Sequence, residues 1–308
     1  MKLPSAKTGT WKIAVILTAA ILIVASAAIF LSSSSPAKSS KPQVVTSFYP
    51  LYFFATEIAG NRSDVHLLIP DNSEPHSWEP KPSDLMTISN TRLFIYNGGG
   101  FEPWVDDFLA AIESNNVAVI DTSKNISQIT TSKGVEDPHF WLDPISAKKQ
   151  VDNILDGFKK ADIDNSSYYE QRAKDLKNRL DDLNSRYVTG LNNRTKNAII
   201  TTHEGFGYLA YRYGFQAYGA LGISADAQPS AKGLANLTKL VTNLGLHYVF
   251  SEPVYSDAVI DTIARETGTQ VLVLDGIHGR TGVHAGMDYF QIMNANLESL
   301  RIGLEVSS

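Results

Sequence analysis

"SSYYEQRAKDLKNRLDDLNSRYVTGLNN", residues 166–193, decides how the rest of the chain is arranged. Tyr169, Ala173, Leu176, Leu180, Leu183, Tyr187 and Leu191 recur at steps of three and four on an otherwise charged surface, the pattern of an amphipathic helix. Ser166 or Ser167 is expected to cap its start. Unbroken from Tyr168 to Leu191, such a helix is about 36 Å long at 1.5 Å per residue. That is long enough to run beside two separate lobes. The alternative is an ordinary helical hairpin packed on one lobe, and periodicity alone does not reject it.

On both sides of this helix, short β-rich apolar runs alternate with helical patterns. "QVVTS", "VHLLIP", "RLFIYN" and "VAVID" precede it; "NAIITT", "FQAYG", "YVFSE" and "QVLVLD" follow it. This βα rhythm predicts an α/β fold of two lobes, each a mainly parallel four-stranded sheet flanked by helices. The expected boundaries are 43–165 for the first lobe, 166–193 for the linking helix and 194–308 for the second lobe.

The 308 residues are 43% hydrophobic and 19% charged, a globular composition with enough length for two cores. The net charge of −5, with no basic block, argues against nucleic acid as a partner. Residues 1–31 differ from the rest: Lys2, Lys7 and Lys12 lead into an uncharged apolar run from Ile13 to Leu31. Those nineteen residues reach about 28 Å as a helix, close to a bilayer core of about 30 Å. An uncleaved membrane anchor is the favoured reading; a cleaved signal, with Ala25, Ser26 and Ala27 at the processing site, is the alternative. Under either, the basic side stays cytoplasmic and the lobes lie outside. Residues 32–42, rich in Ser, Pro and Lys, read as a flexible tether.

With no cysteine in the chain, disulfides, thiolate sites and a cysteine nucleophile are excluded, so any metal must take N and O ligands. Open α/β sheets place ligands beyond the carboxyl ends of their strands. By that rule "VHLLIPDNSEPHSWEP" delivers His76, "DPHFWLDP" (137–144) delivers His139, "AIITTHEGFGYL" delivers His203 and "VLVLDG" ends in Asp275. Three imidazoles and a carboxylate suit zinc better than magnesium or calcium. His66 and His247 read as structural or exposed. His278 and His284, in "GIHGRTGVHAG", read as parts of an exposed loop, with transient metal contact the alternative. Trp78, Phe140 and Trp141 are candidates for the wall of the site, and Glu204 and Glu252 for acidic partners of its ligands. The chain has no Walker A loop, GxGxxG, GxSxG or HExxH motif. A zinc hydrolase would need three protein ligands and a water, and a fourth protein ligand from Asp275 argues for binding instead.

Taken together, these residues resemble the zinc/manganese class of solute-binding receptors that feed ABC importers. "TSFYPLYFFATEIAG" resembles that family's opening strand and helix, "EPHSWEPKPSD" its first histidine motif and "DPHFWLDP" its most distinctive block. "THEGFGYLAYRYGF", "GISADAQPSAKGL", "YVFSEPVYSD" and "GTQVLVLDGI" resemble its later motifs in the same order. The resemblance implies two βα lobes joined by a long backbone helix, with one metal in the cleft between them. Carried over, the metal ligands are His76, His139, His203 and Asp275. The prolines and aromatics around His139 would hold it, with Asp137 or Asp143 orienting its other ring nitrogen. Histidine rather than glutamate at 203 is similar to zinc-receptor members, so the implied cargo is Zn2+, with Mn2+ the alternative.

Three features depart from the pattern. The long histidine-rich loop is absent, Gly276 stands where a proline usually follows the aspartate, and no lipidated cysteine is present. The expected function is a non-enzymatic, monomeric extracytoplasmic receptor that passes Zn2+ to an ABC permease and its ATPase subunit. A surface adhesin is a second alternative, and a zinc hydrolase the weakest.

Overall fold

The computed structural model describes residues 41–112, 116–131, 134–224 and 229–307. The expected anchor over 1–31 and the tether as far as residue 40 lie outside them. Among the described residues, no helix is long and apolar enough to cross a membrane.

The first half of the chain lays down β1 (Gln43–Thr46), α1 (Tyr49–Ala59), β2 (Asp64–Leu67), α2 (Pro82–Ser89), β3 (Leu93–Tyr96), α3 (Val105–Ile112) and β4 (Ala118–Asp121). Its four strands form one parallel sheet in the order β2-β1-β3-β4, with Val45 opposite both His66 and Phe94. Val44 and Val45 of β1 and Leu93, Phe94 and Ile95 of β3 are all buried, which is why these strands read as continuous apolar runs. The strand order reverses between β1 and β3, and at such a switch the carboxyl-end loops diverge and open a crevice. Glu102 ties its floor together. Its carboxylate accepts from Ser47 Oγ at 2.6 Å, beyond β1, and from the backbone N of Asn97 at 2.8 Å, beyond β3.

Next come α4 (Pro144–Ala161) and α5 (Ser166–Gly190), joined by a 3-10 turn over Ile163–Asn165. The whole stripe predicted from Tyr169 to Leu191 is buried. At 25 residues, α5 is about 38 Å long. The helix lies against elements of both halves and is not confined to one. α4 and α5 pack on each other as a helical hairpin, while α5 also lies against α1 of the first half and α9 (Tyr289–Gly303) of the second. Tyr187 Oη donates to Met293 O at 2.6 Å, and the Arg179 guanidinium sits 4.1 Å from the Phe290 ring centre. Capping departs from expectation, because the 3-10 turn runs straight into α5. Asn165 occupies the cap position without a side-chain capping bond, its Nδ2 donating to Asp162 Oδ2 at 2.8 Å, and Ser166 Oγ donates back to Ile163 O at 2.7 Å.

The second half contains β5 (Ala198–Thr201), α6 (Gly207–Tyr213), β6 (Gln216–Gly219), α7 (Ala231–Asn243), β7 (Tyr248–Ser251), α8 (Ala258–Thr267) and β8 (Gln270–Val273) before α9. Its strands are parallel, but the expected single sheet is present as two hydrogen-bonded pairs, β5-β6 and β7-β8, with β5 next to β7. Each strand has only four residues; β5 and β7 share the core around Ile200 and Val249, and Glu252 beyond β7 adds a bond to His203 beyond β5.

One hydrophobic core runs from Val44 through α5 to Leu304, and a smaller one fills the second half around Ile200, Val249 and Ile260. Burying each of Leu176, Leu180 and Leu183 stabilises the fold by about 1.5–3 kcal/mol. The described residues from Lys41 onward form one compact unit.

Candidate metal centre

Four loops bring four imidazoles together. His76 comes from the loop between β2 and α2, with its backbone N donating to Glu74 Oε1 at 2.9 Å and its ring edge-on to Phe101 at 4.6 Å. His139 comes from the segment between β4 and α4, and each part of its "DPHFWLDP" frame has a role. Asp137 Oδ1 accepts from both the backbone N of His139 at 3.0 Å and its Nδ1 at 2.8 Å. Phe140–Leu142 form a 3-10 turn, after which Asp143 caps α4 by accepting from Ile145 N at 3.1 Å and Ser146 N at 3.2 Å. Pro144, in the first turn of α4, has no N–H to leave unsatisfied. Arg212, from α6, forks onto Asp143 at 2.8 and 2.7 Å. Of the two acids expected to orient His139, Asp137 therefore does so, and Asp143 serves the helix and Arg212.

His203 repeats the Asp137 arrangement with a distant partner. Glu252 Oε1 accepts from the backbone N of His203 at 2.9 Å and from its Nδ1 at 2.8 Å. The backbone also closes over this ring: a Cβ on Gly205 would lie 2.3 Å from His203 Nε2, so only glycine fits there. His278 supplies the fourth imidazole.

One nitrogen from each of His76, His139, His203 and His278 lies within 4.8 Å of the other three, and all four residues are buried. Nε2 of His139 is 3.3 Å from Nε2 of His76 and 3.1 Å from Nε2 of His203. A tetrahedral zinc with Zn–N bonds of about 2.0–2.1 Å needs its ligand nitrogens about 3.3–3.4 Å apart. Tautomer chemistry points the same way. The oxygens facing Nδ1 of His139 and His203 also accept backbone N–H groups, and with Asp137 and Glu252 ionised both Nδ1 atoms carry the proton. Both Nε2 atoms are then lone pairs facing each other at 3.1 Å, an arrangement only a shared proton or a metal ion relieves. Nε2 of His278 is buried without a hydrogen-bond partner, which adds a further donor atom for a cation.

The electrostatics keep the donors available. Burial, and then the nearby His203, push the His76 imidazole down to about 3. Burial and the neighbouring imidazoles hold His139 and His278 well below their usual range. Burial opposes protonation of His203 too, but the Glu252 carboxylate outweighs it and raises the proton affinity of that ring. Burial raises the acids as well, Asp137 to about 7. A dication in the cluster would favour the ionised form of both.

The structure brings together three of the four residues expected to bind metal, His76, His139 and His203, and places His278 with them. Asp275, the fourth expected, is buried nearby with both oxygens engaged: Oδ1 accepts from Ile277 N at 2.7 Å and Oδ2 faces His284 Nδ1 at 2.7 Å. The expectation of an exposed loop at His278 and His284 is corrected, since these side chains are only 2% and 7% exposed. The physical reason is the turn that Asp275 makes with Ile277, which carries the chain back over the crevice. The Asp-Gly pair at 275–276 was the available signal for it. Trp141 lies against the site, 5.1 Å from the His139 ring, whereas Phe140 packs on Tyr208 and Trp78 on Trp104. His66 is exposed and bonds Gln43, and the exposed His247 pairs with Glu305 at 2.7 Å.

Comparison with known proteins places this geometry in a family. The Bacillus subtilis (strain 168) high-affinity zinc uptake system protein ZnuA is 34% identical over 310 residues, covering 96% of this chain and 97% of that protein. The Zn(II)-bound ZnuA-like domain of Streptococcus pneumoniae AdcA is similar in structure, with a TM-score of 0.76 and 32% identity, over 86% of this chain and 100% of that one. The laminin-binding protein Lmb of Streptococcus agalactiae, described as a bifunctional protein with adhesin and metal transporting activity, gives a TM-score of 0.80 and 28% identity over 86% and 100%. The family profile for the periplasmic zinc-uptake complex component A matches residues 44–303, and the chain belongs to this ZnuA family.

Proposed function

We propose that this protein is an extracytoplasmic receptor that captures one Zn2+ with His76, His139, His203 and His278 and delivers it to an ABC-type importer. The observation that carries the reading is the pair of carboxylate-anchored imidazoles whose Nε2 atoms lie 3.1 Å apart, with two further buried imidazoles beside them. Four neutral nitrogens suit zinc, whereas manganese favours carboxylate and water oxygens. A filled tetrahedral shell leaves no position for an activated water, which supports carriage over hydrolysis. In this reading Asp275 builds the turn that presents His278, and His278 takes the ligand role expected of Asp275. Residues 43–165 and 194–308 act as two lobes braced by α5. The partner is an importer permease with its ATPase. The basic and apolar residues up to Leu31 either anchor the receptor at the outer face of the membrane or, as a signal that is removed, direct it outside the cell membrane without holding it there.

Zinc titration of the stripped full-length chain, beside His203→Ala, His278→Ala and Asp275→Asn, tests this. The expected result is one tight zinc per chain, weakened in both histidine variants and more in His278→Ala than in Asp275→Asn. No tight site, or one indifferent to His203, overturns it.

A further inference from the structure

We propose that Asp71 and Arg280 form a latch that holds His278 against the metal and sets how long the metal stays bound; the inference rests on the receptor reading above. Asp71 lies five residues before His76 on the β2–α2 loop, and Arg280 lies two residues after His278 on the loop leading to α9. The pair thus joins two ligand-bearing loops from opposite halves of the chain.

The contact is extensive. Arg280 donates to Asp71 Oδ2 through Nε at 3.1 Å and Nη2 at 2.7 Å, and its backbone N donates to Oδ1 at 3.1 Å. The guanidinium also stacks 4.8 Å from the Tyr49 ring centre. The backbones press together: a Cβ on Gly279 would lie 2.0 Å from the Asp71 carbonyl oxygen, so the approach requires glycine.

Two features suit this contact to opening and closing. The side chains are 36% and 28% exposed, so water and salt compete for the pair, unlike the buried carboxylate bonds of His139 and His203. The segment it restrains is also under backbone tension. Ile277 is buried with φ of 55°, a left-handed conformation that a β-branched residue rarely adopts, and the Asp275 and Trp141 bonds to Ile277 N and Gly276 O keep it there. Nε2 of His278 has no hydrogen-bond partner, and the ring is held by the loop that carries it and by Tyr255 Oη, 3.4 Å from Nδ1. Released at Arg280, the loop can relax and withdraw one of four ligands while His76, His139 and His203 remain.

The test uses the full-length protein loaded with zinc or cobalt(II), in the parent and in Arg280→Gln, Asp71→Asn and the charge-swapped Asp71→Arg/Arg280→Asp. Zinc release into a chelator should be faster in each single variant by about tenfold or more, the range seen when partners of metal ligands are lost. The cobalt spectrum should lose tetrahedral intensity as water replaces an imidazole, and the charge swap should restore both readouts. Because the latch acts through His278, Arg280→Gln should add nothing in a His278→Ala background. Single variants that release zinc at the parental rate, or that accelerate release equally without His278, overturn the latch and leave the receptor reading intact. A parent chain that takes up neither metal overturns both.

Discussion

At the residue scale, the site depends on which atom of each imidazole is committed. Asp137 and Glu252 each use one oxygen to take a backbone N–H and a ring Nδ1–H from the same histidine, which fixes ring orientation and leaves Nε2 as the donor. The first of these partners was legible in the sequence, because Asp137 precedes His139 by two residues inside a proline-bounded block. The second was a candidate acidic partner with no histidine assigned to it, since two positions 49 apart in sequence carry no local signal of contact. His278 escaped for a related reason: its side chain is turned inward by the left-handed Ile277, and backbone handedness at a non-glycine residue does not show in composition or periodicity. Replacing Asp137 or Glu252 by alanine should weaken zinc binding about 10- to 100-fold without unfolding the chain. Competition titration against a chromogenic chelator checks this, and unchanged affinity would contradict the orienting role.

At the scale of elements, α5 was the most legible part of the chain, because seven apolar positions over six turns leave a single face to bury. Strands β1 and β3 of the first half were equally clear, being apolar runs buried on both sides. In the second half the positions of the strands were readable but their pairing was not. Four-residue strands specify a register only through their neighbours, and here β5 and β7 lie side by side, sharing a core but no hydrogen-bonded ladder. Since α5 is buried against elements of both halves, weakening its stripe should destabilise the whole unit together. Leu180→Ala should lower unfolding free energy by about 2–5 kcal/mol in urea, in one transition that spans both halves. Two separated transitions would show that α5 does not brace them jointly.

At the scale of the whole molecule, the two halves each contribute two imidazoles to one buried point, so a metal held there would add a bridge to the contacts the halves already make. The loaded site needs neutral rings and therefore binds fewer protons than the free one, so affinity must fall as pH falls. Three of the rings have lowered proton affinity, and only His203, beside Glu252, has it raised, so His203 takes up the first competing proton. Zinc affinity measured at pH 5 should be weaker than at pH 7.5; equal values would exclude an imidazole site.

X-ray absorption at the zinc edge of the loaded protein distinguishes a shell of four imidazoles from one that includes oxygen. Four nitrogen neighbours at about 2.0–2.1 Å, with the multiple scattering of imidazole rings, are expected. Three nitrogens with a carboxylate or water oxygen would contradict the four-imidazole shell, and would return the fourth position to Asp275 or to solvent.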